Sequence, residues 1–407
     1  MNSYDLLSCD ELAGPQVHLS RKAMSSLTTG KIAIVGTGYV ADLYMRSLKT
    51  FPSIVVTRAH DIDGSRLTTF CNYWKVPAAD RLDALFENGP DVPDLILNLT
   101  NPEAHFAISE ACLRAGKHVY SEKPLALNMP EALALRDAAE RQGLLLASAP
   151  CSPLCEAAQT LWLALRRNEI GKARLVYAEL DDDFISQAAY KIWASESGAP
   201  WPYVDEFRIG CTIEHAGYSL TWLMAMFGPV RKVVAASARL MEDILDCSAL
   251  TGHDYSTAIL FFDSGVVARL TCSILAPRNH RIQIIGDRGI LEVGDCWNNS
   301  SPVRVRRRFR LGHRLITIPF GKQIRISGQT HPKVNRRGAP AMNFALGPAE
   351  MLEAIKGDRT CRLSADFALH VTEVTLAIQN SRDSPGQKMT TSFKQMDPMP
   401  WAKDCRA

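Results

Sequence analysis

The sequence predicts an α/β fold, with a doubly wound parallel sheet in the first part of the chain and an α+β domain built on a largely antiparallel open sheet after it. Three observations predict this fold. Strand-like runs alternate with amphipathic helical segments from residue 31 to residue 148, hairpin signatures follow after residue 250, and 407 residues are too many for one compact core. Two domains are therefore expected.

The parallel sheet is predicted from short runs rich in β-branched residues and leucine. These runs are 31–35, 54–60, 95–99, 118–121 and 144–148. The amphipathic segments between them are 63–74, 102–115 and 130–142. Alternation at this spacing is typical of parallel strands joined by crossover helices on both faces of a sheet.

The pattern changes in the second half of the chain, where longer strands are joined by tight turns. The strands of two predicted hairpins are 255–262 with 266–274 and 281–285 with 290–293. The predicted helices are 153–167, 213–226, 348–355 and 364–381. Residues 331–341 are predicted to form a loop. Arginines alternate with apolar residues over 303–314, which favours a half-exposed strand over a basic binding surface.

Charge and hydropathy limit the classes of partner. The net charge of +3 is the small difference between 46 basic and 43 acidic residues, which argues against a nucleic-acid-binding protein that works through a basic surface. No apolar run approaches the roughly 18 to 20 residues of a membrane helix, so no membrane partner is expected. The N-terminus is acidic and lacks the basic-then-apolar order of a signal peptide, which favours a cytoplasmic protein.

The 11 cysteines are scattered and contain no C-x-x-C pair. An odd, unpatterned set favours reduced thiols in a cytoplasmic protein over a disulfide framework or a zinc site. Cys151 and Cys155 could share a helix face as metal ligands, but neither a histidine nor a second cysteine pair stands nearby. No metal site is therefore predicted.

A glycine-rich segment follows the first predicted strand directly and opens a helix. It consists of Gly36, Thr37, Gly38, Tyr39, Val40 and Ala41. This is the context that the G-x-G-x-x-G/A fingerprint of dinucleotide binding requires. Gly36 permits the tight turn and Gly38 lets the backbone approach a pyrophosphate, which would rest on free N–H groups at the helix N-terminus. Glycine after a strand is also an ordinary turn residue, so the motif alone is weak.

Asp61 strengthens the prediction of a dinucleotide site. It lies at the end of the second predicted strand, where an acid can accept hydrogen bonds from the adenosine ribose. A carboxylate there repels a 2′-phosphate, so NAD is predicted, with NADP as the alternative. Arg58 and Arg66 lie near enough in sequence to temper this preference.

Two further stretches complete a recognisable pattern. Residues 99–105 (LTNPEAH) follow the third strand, and residues 116–124 (GKHVYSEKP) contain Glu122-Lys123-Pro124 after the fourth. Together with the glycine turn, they make the chain resemble the glucose–fructose oxidoreductase / inositol dehydrogenase (Gfo/Idh/MocA) family. The likeness runs from about residue 31 to residue 381.

The resemblance implies a domain organisation and a place for the substrate. It implies an N-terminal arm (1–28), a Rossmann dinucleotide-binding domain (29–150), a substrate and oligomerisation domain (151–384) and a C-terminal tail (385–407). The open sheet face would help to form a homo-oligomer, a dimer or tetramer. The substrate would lie between the domains, at the carboxyl ends of the parallel strands.

The resemblance also implies roles for residues of these motifs. The residues along the nicotinamide side of the cofactor cleft would be Thr100, Asn101, Pro102 and His105. Glu122 would face the cofactor and Lys123 the substrate. Without the resemblance, a single lysine near a strand end is usually a solvated surface residue.

The sequence departs from the family on the helix of the second domain. Many members carry an aspartate there and a histidine four residues later, whereas this chain has Glu214 and Tyr218, counted back from Phe227-Gly228. The replacement resembles some sugar ketoreductases of deoxysugar pathways. Tyr218 would exchange the hydroxyl proton, and an ammonium such as that of Lys123 would lower its pKa. His215 is the rival, as a proton relay or a hydrogen-bond partner of the phenol.

Residues 190–208 combine aromatic and polar side chains and have two interpretations. They suit the faces and hydroxyls of a sugar, and equally a subunit interface. The sequence as a whole predicts an NAD(P)-dependent oxidoreductase acting on a sugar, nucleotide-sugar or cyclitol, in a direction that stays open. The alternatives are an NAD-retaining hydrolase or epimerase and a non-catalytic dinucleotide-binding sensor.

Overall fold

The computed structural model describes residues 29–241, 252–335, 341–381 and 386–403. These residues form two sheets, one of five strands and one of ten. The predicted α/β fold class is confirmed, because the first sheet is parallel and the second is mostly antiparallel. The domain boundaries at residues 28, 150 and 384 stay a prediction.

The first sheet consists of parallel strands in the order β2-β1-β3-β4-β5. Their bounds are β1 Gly30–Val35, β2 Ile54–His60, β3 Leu95–Asn98, β4 His118–Ser121 and β5 Leu146–Ser148. The helices between them are α1 Tyr39–Leu48, α2 Gly64–Trp74, α3 His105–Arg114 and α4 Met129–Arg141. Ile34 of β1 shares a core with Tyr44 of α1, and the neighbouring Val35 shares a second core with Leu113 of α3. Helices therefore cover both faces of this sheet, as predicted.

Helix starts in this part follow local side-chain chemistry. Asp63 accepts hydrogen bonds of 3.0 Å from two amides in the first turn of α2, and Asn128 accepts one of 3.0 Å from the amide of Glu131 in α4. Such caps satisfy amides that have no partner inside the helix. The predicted helix 102–115 instead begins with a 3-10 turn, Pro102–Ala104, before α3.

The second sheet has the strand order β13-β12-β11-β10-β6-β9-β8-β7-β15, with β14 paired to β12. Its strands are β6 Ala173–Asp181, β7 Val230–Ala238, β8 Tyr255–Phe262, β9 Val267–Ser273, β10 Ile282–Gly286, β11 Gly289–Val293, β12 Val303–Leu311, β13 Arg314–Thr317, β14 Lys322–Ile324 and β15 Gly386–Lys388. Both predicted hairpins, β8–β9 and β10–β11, are confirmed. β6 and β9 form the one parallel pair among the described strands of this sheet.

One face of the second sheet is covered by helices and the other is open. The helices of the second half are α5 Glu156–Arg166, α6 Tyr203–Ile209, α7 Cys211–Phe227, α8 Leu346–Lys356 and α9 Ala365–Gln379. On the open face, Leu175, Tyr177 and Ile259 are 40%, 38% and 44% exposed. Such exposure is high for apolar side chains on strands in the middle of a sheet.

The arginine-rich strand and the predicted loop are found near the second sheet. In β12, Val303 and Val305 are buried while Arg304 is exposed, so the half-exposed strand is confirmed. Residues 331–335 form no regular element, and 336–340 lie outside the described residues.

The C-terminal helices return to the first sheet. Gly347 of α8 touches the ring of Tyr120 so closely that a Cβ there would lie 2.4 Å from the Tyr120 Oη. Beyond α9, the segment predicted to be a tail joins the second sheet through β15, and Phe393, Met396 and Met399 are buried. Residues from the far end of the chain therefore pack against the parallel sheet at Gly347 and join the second sheet through β15.

Three of the cysteines, Cys9, Cys247 and Cys405, lie outside the described residues. The described cysteines are all buried free thiols. No three His, Cys, Asp or Glu side chains in the described part of the chain are grouped to hold a metal ion. None of the described helices has the length and apolar character to cross a membrane.

Candidate active site

A cleft of about 260 Å³ opens where the carboxyl ends of the parallel strands meet the second half of the chain. From the first half it is lined by Gly38, Tyr39, Val40, Thr100, Asn101, Pro102, Glu122 and Lys123. From the second half it is lined by Glu214, His215, Tyr218 and Trp297, among others. Most of the predicted site residues therefore share one cleft, although they come from distant parts of the sequence.

The glycine turn has the geometry expected of a dinucleotide site. Gly36 has φ +91°, and a Cβ there would lie 2.7 Å from the backbone of Leu99 and Thr100, so only glycine fits. Around Gly38 there is no atom within 4 Å of the Cβ position, which leaves its backbone open to the cleft at the start of α1. Open amides at a helix N-terminus suit a pyrophosphate. Gly36 and Thr37 are buried behind the turn and do not line the cleft.

Asp61 is buried behind the same turn. Its Oδ2 accepts hydrogen bonds from the Thr37 N (2.7 Å) and Oγ1 (2.9 Å), and its Oδ1 accepts one from the Asp63 N (2.9 Å). Arg66 lies 3.2 Å from both carboxylate oxygens. Burial raises the pKa of Asp61, but these donors outweigh it and the net pKa is lowered. Arg58 is turned away and donates to the Ala84 carbonyl at 2.8 Å.

His105 connects two loops beside the cleft. Its ring is fully buried, with Nδ1 2.7 Å from the Pro124 carbonyl oxygen and Nε2 2.8 Å from that of Thr100. Burial lowers its pKa. The ring therefore does not line the cleft but joins the loop after β3 to the loop after β4. Both ring nitrogens face backbone carbonyl oxygens, and a contact between His105 and the cofactor stays a prediction.

Asn98 and Tyr44 support the cleft and were missed in the sequence analysis. The Asn98 Oδ1 accepts from the Thr100 Oγ1 at 2.7 Å, which fixes the loop after β3. The Tyr44 Oη donates to the Glu122 Oε1 at 2.6 Å, and the Glu122 Oε2 accepts from the Lys123 N at 3.0 Å. Both residues lie in ordinary strand and helix positions, so no motif marks them.

Lys123 and Glu214 join the two halves of the chain in a buried ion pair. The Lys123 Nζ donates to the Glu214 Oε2, and the two side chains are 18% and 5% exposed. Burial opposes the charge of Lys123, but the Glu214 carboxylate is the largest of the acidic groups that outweigh it and raise the pKa. Lys123 is therefore charged at neutral pH.

Glu206 is a third carboxyl group beside this pair. It lines the cleft from α6 and interacts with Glu214. Burial and the neighbouring Glu214 carboxylate raise its pKa well above the usual value. Glu206 therefore holds a proton under conditions in which an exposed glutamate would have lost it.

Tyr218 lies one helical turn after Glu214 and its ring centroid is 5.1 Å from that of Trp297. Burial raises the pKa of its phenol, and Lys123 lowers it by less. Lys123 thus lowers the pKa of Tyr218 as expected, but burial outweighs this effect and the net pKa is raised. At neutral pH the Tyr218 side chain is a neutral phenol.

His215 lines the same cleft. Its Nδ1 has no hydrogen-bond partner among the described residues, and its ring centroid is 5.7 Å from that of Trp297. Burial lowers its pKa, so the ring is neutral at neutral pH. In the described residues no hydrogen bond joins His215 to Tyr218, so a direct bond between them is not part of this arrangement.

The aromatic residues of 190–208 belong to a longer segment, 182–210, here called the strap. Trp193 and Trp201 line the cleft, with ring centroids 5.1 Å apart. The strap is tied to α1 by the ion pair Arg46–Glu196 and by the Ser197 Oγ, which donates to the Asp42 Oδ2 at 2.8 Å. It therefore crosses the mouth of the cleft from the second half of the chain to the first.

Comparison with known families agrees with this geometry. Residues 30–149 match the sequence model of the Gfo/Idh/MocA oxidoreductase family with an NAD-binding Rossmann fold, and residues 158–292 match a Gfo/Idh/MocA C-terminal domain. The chain belongs to the Gfo/Idh/MocA family. Its parallel sheet is thus a Rossmann domain that binds NAD, as the glycine turn predicted.

Similar proteins within this family include dehydrogenases. A trans-1,2-dihydrobenzene-1,2-diol dehydrogenase from Bos taurus is 26% identical over 271 residues, which are 65% of this chain and 74% of that protein. An inositol dehydrogenase homologue from Azotobacter vinelandii, solved with NADH and myo-inositol, is 18% identical with a TM-score of 0.69 over 89% of this chain and 98% of that one. Levoglucosan dehydrogenase with NADH and levoglucosan is 15% identical, with a TM-score of 0.73 over 88% of this chain and 98% of that one. At these identities the solved structures share the fold alone.

Proposed function

We propose that this Gfo/Idh/MocA protein is an NAD(P)-dependent dehydrogenase or ketoreductase acting on a CH–OH or keto carbon of a sugar, nucleotide-sugar, cyclitol or related diol. The observation that carries the proposal is the shared cleft. The open glycine turn at Gly38 and the Lys123–Glu214 pair with Tyr218 line one space, so a dinucleotide and a hydroxyl substrate can meet there.

The residues fit the cofactor. The backbone at Gly38 and Tyr39 would hold the pyrophosphate, Asp61 the adenosine ribose, and residues 100–102 with Glu122 the nicotinamide end. The nicotinamide supplies or accepts the hydride. Because the Asp61 carboxylate is ionised, it would repel a 2′-phosphate, and we expect NAD to be preferred over NADP. Arg66 lies beside Asp61 and would be the group to bind the 2′-phosphate if NADP were used.

The proton is handled by the chain itself. Tyr218, as a neutral phenol, would donate a proton to a carbonyl oxygen during reduction and take it back during oxidation. Lys123 would orient the substrate oxygen through its charged Nζ, with Glu214 fixing the position of that group. His215 has a free Nδ1 towards this region and is the second candidate for moving the proton.

The cleft walls support a hydroxylated substrate. The rings of Trp193, Trp201 and Trp297 offer apolar faces, while Glu206 and Asp182 offer acceptors for hydroxyl groups. The relatives act on or bind ligands of this kind, a benzene dihydrodiol, myo-inositol and levoglucosan by name. The proposal therefore extends to small diols and polyols.

One observation favours a second function, an NAD-retaining hydrolase or epimerase. The strap is tied across the mouth of the cleft by Arg46–Glu196 and Asp42–Ser197, which would slow release of a bound cofactor. A non-catalytic sensor is less well supported, because sensing alone does not need a buried Lys123–Glu214 pair facing the substrate space.

The open face of the second sheet supports a homo-oligomer. Leu175, Tyr177 and Ile259 would be covered by a second copy. The buried free thiols support a reducing compartment, and we propose the cytoplasm.

A substrate panel tests the proposed function. Purified protein is incubated with NAD or NADP and with myo-inositol, levoglucosan, free sugars, nucleotide-sugars and a benzene dihydrodiol, and absorbance at the NADH band is followed. We expect turnover with at least one of these alcohols. Lys123→Met should lower turnover by about 10²-fold or more while NADH binding, measured by fluorescence, stays near the parent value. Lys322→Met, at an exposed lysine on β14, is the matched control.

Unchanged turnover in Lys123→Met would remove this lysine from the mechanism. NADH binding without turnover of any alcohol would favour the sensor, and NAD that stays bound through gel filtration would favour the NAD-retaining enzyme.

A further inference from the structure

His280 is a buried histidine outside the proposed reaction machinery. Its side chain is fully buried between the ends of two strands, just before β10. Its Nε2 lies 3.4 Å from the Asp182 Oδ1, after β6, and its Nδ1 lies 3.4 Å from the Asp295 Oδ1, after β11. One imidazole thus spans two carboxylates from different strands of the second sheet.

The ring of His280 also packs against that of Trp297 in a tilted arrangement. The two ring centroids are 4.3 Å apart with an interplanar angle of 54°. Trp297 is held at its backbone as well, because its N donates to the Asp295 Oδ1 at 2.9 Å. Its ring contacts the proposed proton donor, Tyr218, at 5.1 Å between centroids. Trp297 therefore connects the His280 cluster to the substrate end of the cleft, which it lines together with Asp182.

The charges around His280 decide its protonation. The groups facing it are the carboxylates of Asp182 and Asp295, the guanidinium of Arg278 and, further off, the Asp181 carboxyl group and the ring of His215. Burial and Arg278 lower the pKa of His280, but the two carboxylates outweigh them and raise it. The imidazole therefore keeps its proton to a higher pH than an exposed histidine does, and it loses that charge as pH rises through the raised pKa.

We propose that His280 is a positioning residue that fixes Trp297 as one wall of the substrate site. The protonated ring pulls Asp182 and Asp295 together, and the loop that carries Trp297 is thereby held against Tyr218. The neutral ring can donate to only one of the two carboxylates, so the link through the imidazole is lost and only Arg278, at 3.4 Å from Asp182 and 3.5 Å from Asp295, still bridges them. The expected change in KM rests on the proposed function, whereas the expected change in Trp297 fluorescence does not.

The position of Trp297 has a consequence for substrate binding rather than for chemistry. His280 touches no reacting group, so its loss should weaken substrate binding more than it slows proton or hydride transfer. We expect the KM of the alcohol to rise with pH in the parent as His280 loses its proton. In a variant without the imidazole, KM should be high at all pH values and should lack this dependence.

The test combines kinetics with tryptophan fluorescence. In His280→Gln, KM for the best alcohol should rise about tenfold while kcat changes by less than about threefold, which is a loss of about 1.4 kcal/mol of substrate binding. A protonated histidine packed against Trp297 should quench the fluorescence of this tryptophan. The Trp297 emission of the parent protein should therefore rise with pH. This pH-dependent change should belong to the part of the tryptophan emission that Trp297→Phe removes. The change should be absent in His280→Gln.

A matched control separates positioning from general destabilisation. His370 is also fully buried, accepts from the Val230 N at 2.9 Å and does not line the cleft. His370→Gln should leave KM, its pH dependence and the Trp297 emission at parent values. If His280→Gln does not fold, Asp295→Asn replaces it, with the same expected rise in KM and loss of the pH-dependent emission.

The two proposals fail in different ways. Turnover with parent-like KM and parent-like pH-dependent Trp297 emission in the His280 variant overturns the positioning role and leaves the dehydrogenase intact. Absence of turnover in the parent overturns the dehydrogenase, while the fluorescence titration still decides whether His280 holds Trp297.

Discussion

Tyr218 and Lys123 lie in the same stretch of the cleft but differ in charge. Lys123 shares a buried ion pair with Glu214 and keeps its proton. Tyr218 is also buried, and Lys123 offsets only part of the resulting rise in its pKa, so its phenol stays neutral. The pair thus offers a fixed positive charge and a proton on a neutral donor, which is the state that reduction of a carbonyl group needs.

Replacement of Tyr218 by phenylalanine tests this assignment. Tyr218→Phe keeps the ring against Trp297 but removes the proton, so turnover should fall by about 10²- to 10⁴-fold. Steady-state NADH absorbance measures the loss, and NADH binding should stay within the parent range. Tyr73→Phe, at a tyrosine that is 52% exposed, is the control. Parent-like turnover in Tyr218→Phe would transfer the proton role to His215.

Asp61 and Arg66 make a separate prediction about cofactor choice. Asp61→Asn removes the ionised carboxylate, so the affinity for NAD should fall by about tenfold, as expected for loss of a charge-assisted hydrogen bond. Discrimination against NADP should fall too, because the repulsion of a 2′-phosphate is gone. Titration of protein fluorescence with each cofactor measures both effects. Arg66→Ala should instead weaken NADP selectively, and equal loss of both cofactors in Asp61→Asn would contradict the account.

Sequence patterns located the residues that carry local motifs and missed those that support them. The glycine turn, Asp61 and Lys123 stand directly after strands, so their motifs predicted their place at the sheet edge. Tyr44 and His280 have no local signature, because each is defined by contacts with residues far along the chain. The lowering effect of Lys123 on the pKa of Tyr218 was predicted, but the larger effect of burial was not, since burial depends on tertiary packing.

At the scale of elements, the strap is attached to α1 by an ion pair and two hydrogen bonds. The Arg46 and Glu196 side chains are 12% and 17% exposed, so their ion pair is only partly screened by water. The Ser197 N and Oγ add hydrogen bonds of 3.0 and 2.8 Å to Asp42. These contacts must break if the strap is to move away from α1.

Weakening this attachment should speed release of the cofactor. Glu196→Gln removes the charge, and a loss of about 1 kcal/mol should raise the NADH dissociation rate by about fivefold. Stopped-flow NADH fluorescence measures that rate. Glu87→Gln, at an exposed ion pair with Arg81, is the matched control and should leave the rate unchanged. A parent-like rate in Glu196→Gln would mean that the strap does not limit release.

The elements themselves were predicted where their pattern is local. The hairpins β8–β9 and β10–β11 have tight turns between alternating strands, and both were predicted. β6 and β7 were not, because neither is joined to a sequence neighbour by a hairpin turn. β6 pairs with β9 and β10, which come some 100 residues later, so its strand character depends on partners that a local pattern does not reveal.

At the scale of the whole molecule, the C-terminal segment adds an edge strand to the second sheet and packs into the core. Residues 386–403 follow α9, and Phe393 contacts Phe367 with ring centroids 5.0 Å apart. The Thr390 and Thr391 amides donate to the Glu373 carboxylate at 2.7 and 2.9 Å. A segment predicted to be a tail is therefore part of the core, which sequence composition alone does not show.

Truncation of one aromatic side chain tests this role. Phe393→Ala should lower the free energy of unfolding by about 3 to 5 kcal/mol, because Phe393 is buried and leaves a cavity. Urea unfolding followed by fluorescence measures the change. Phe320→Ala, at a phenylalanine that is 87% exposed, should cost less than about 0.5 kcal/mol. Equal stability of the two variants would show that the C-terminal segment does not contribute to the core.

The central claim is that the glycine turn and the Lys123–Glu214–Tyr218 group serve one reaction in one cleft. A crystal structure with bound NADH tests it most directly. We expect the pyrophosphate at the Gly38 amide and the nicotinamide ring inside the cleft, with its reactive carbon facing Lys123 and Tyr218. A nicotinamide outside the cleft, or Lys123 turned into solvent, would contradict the claim.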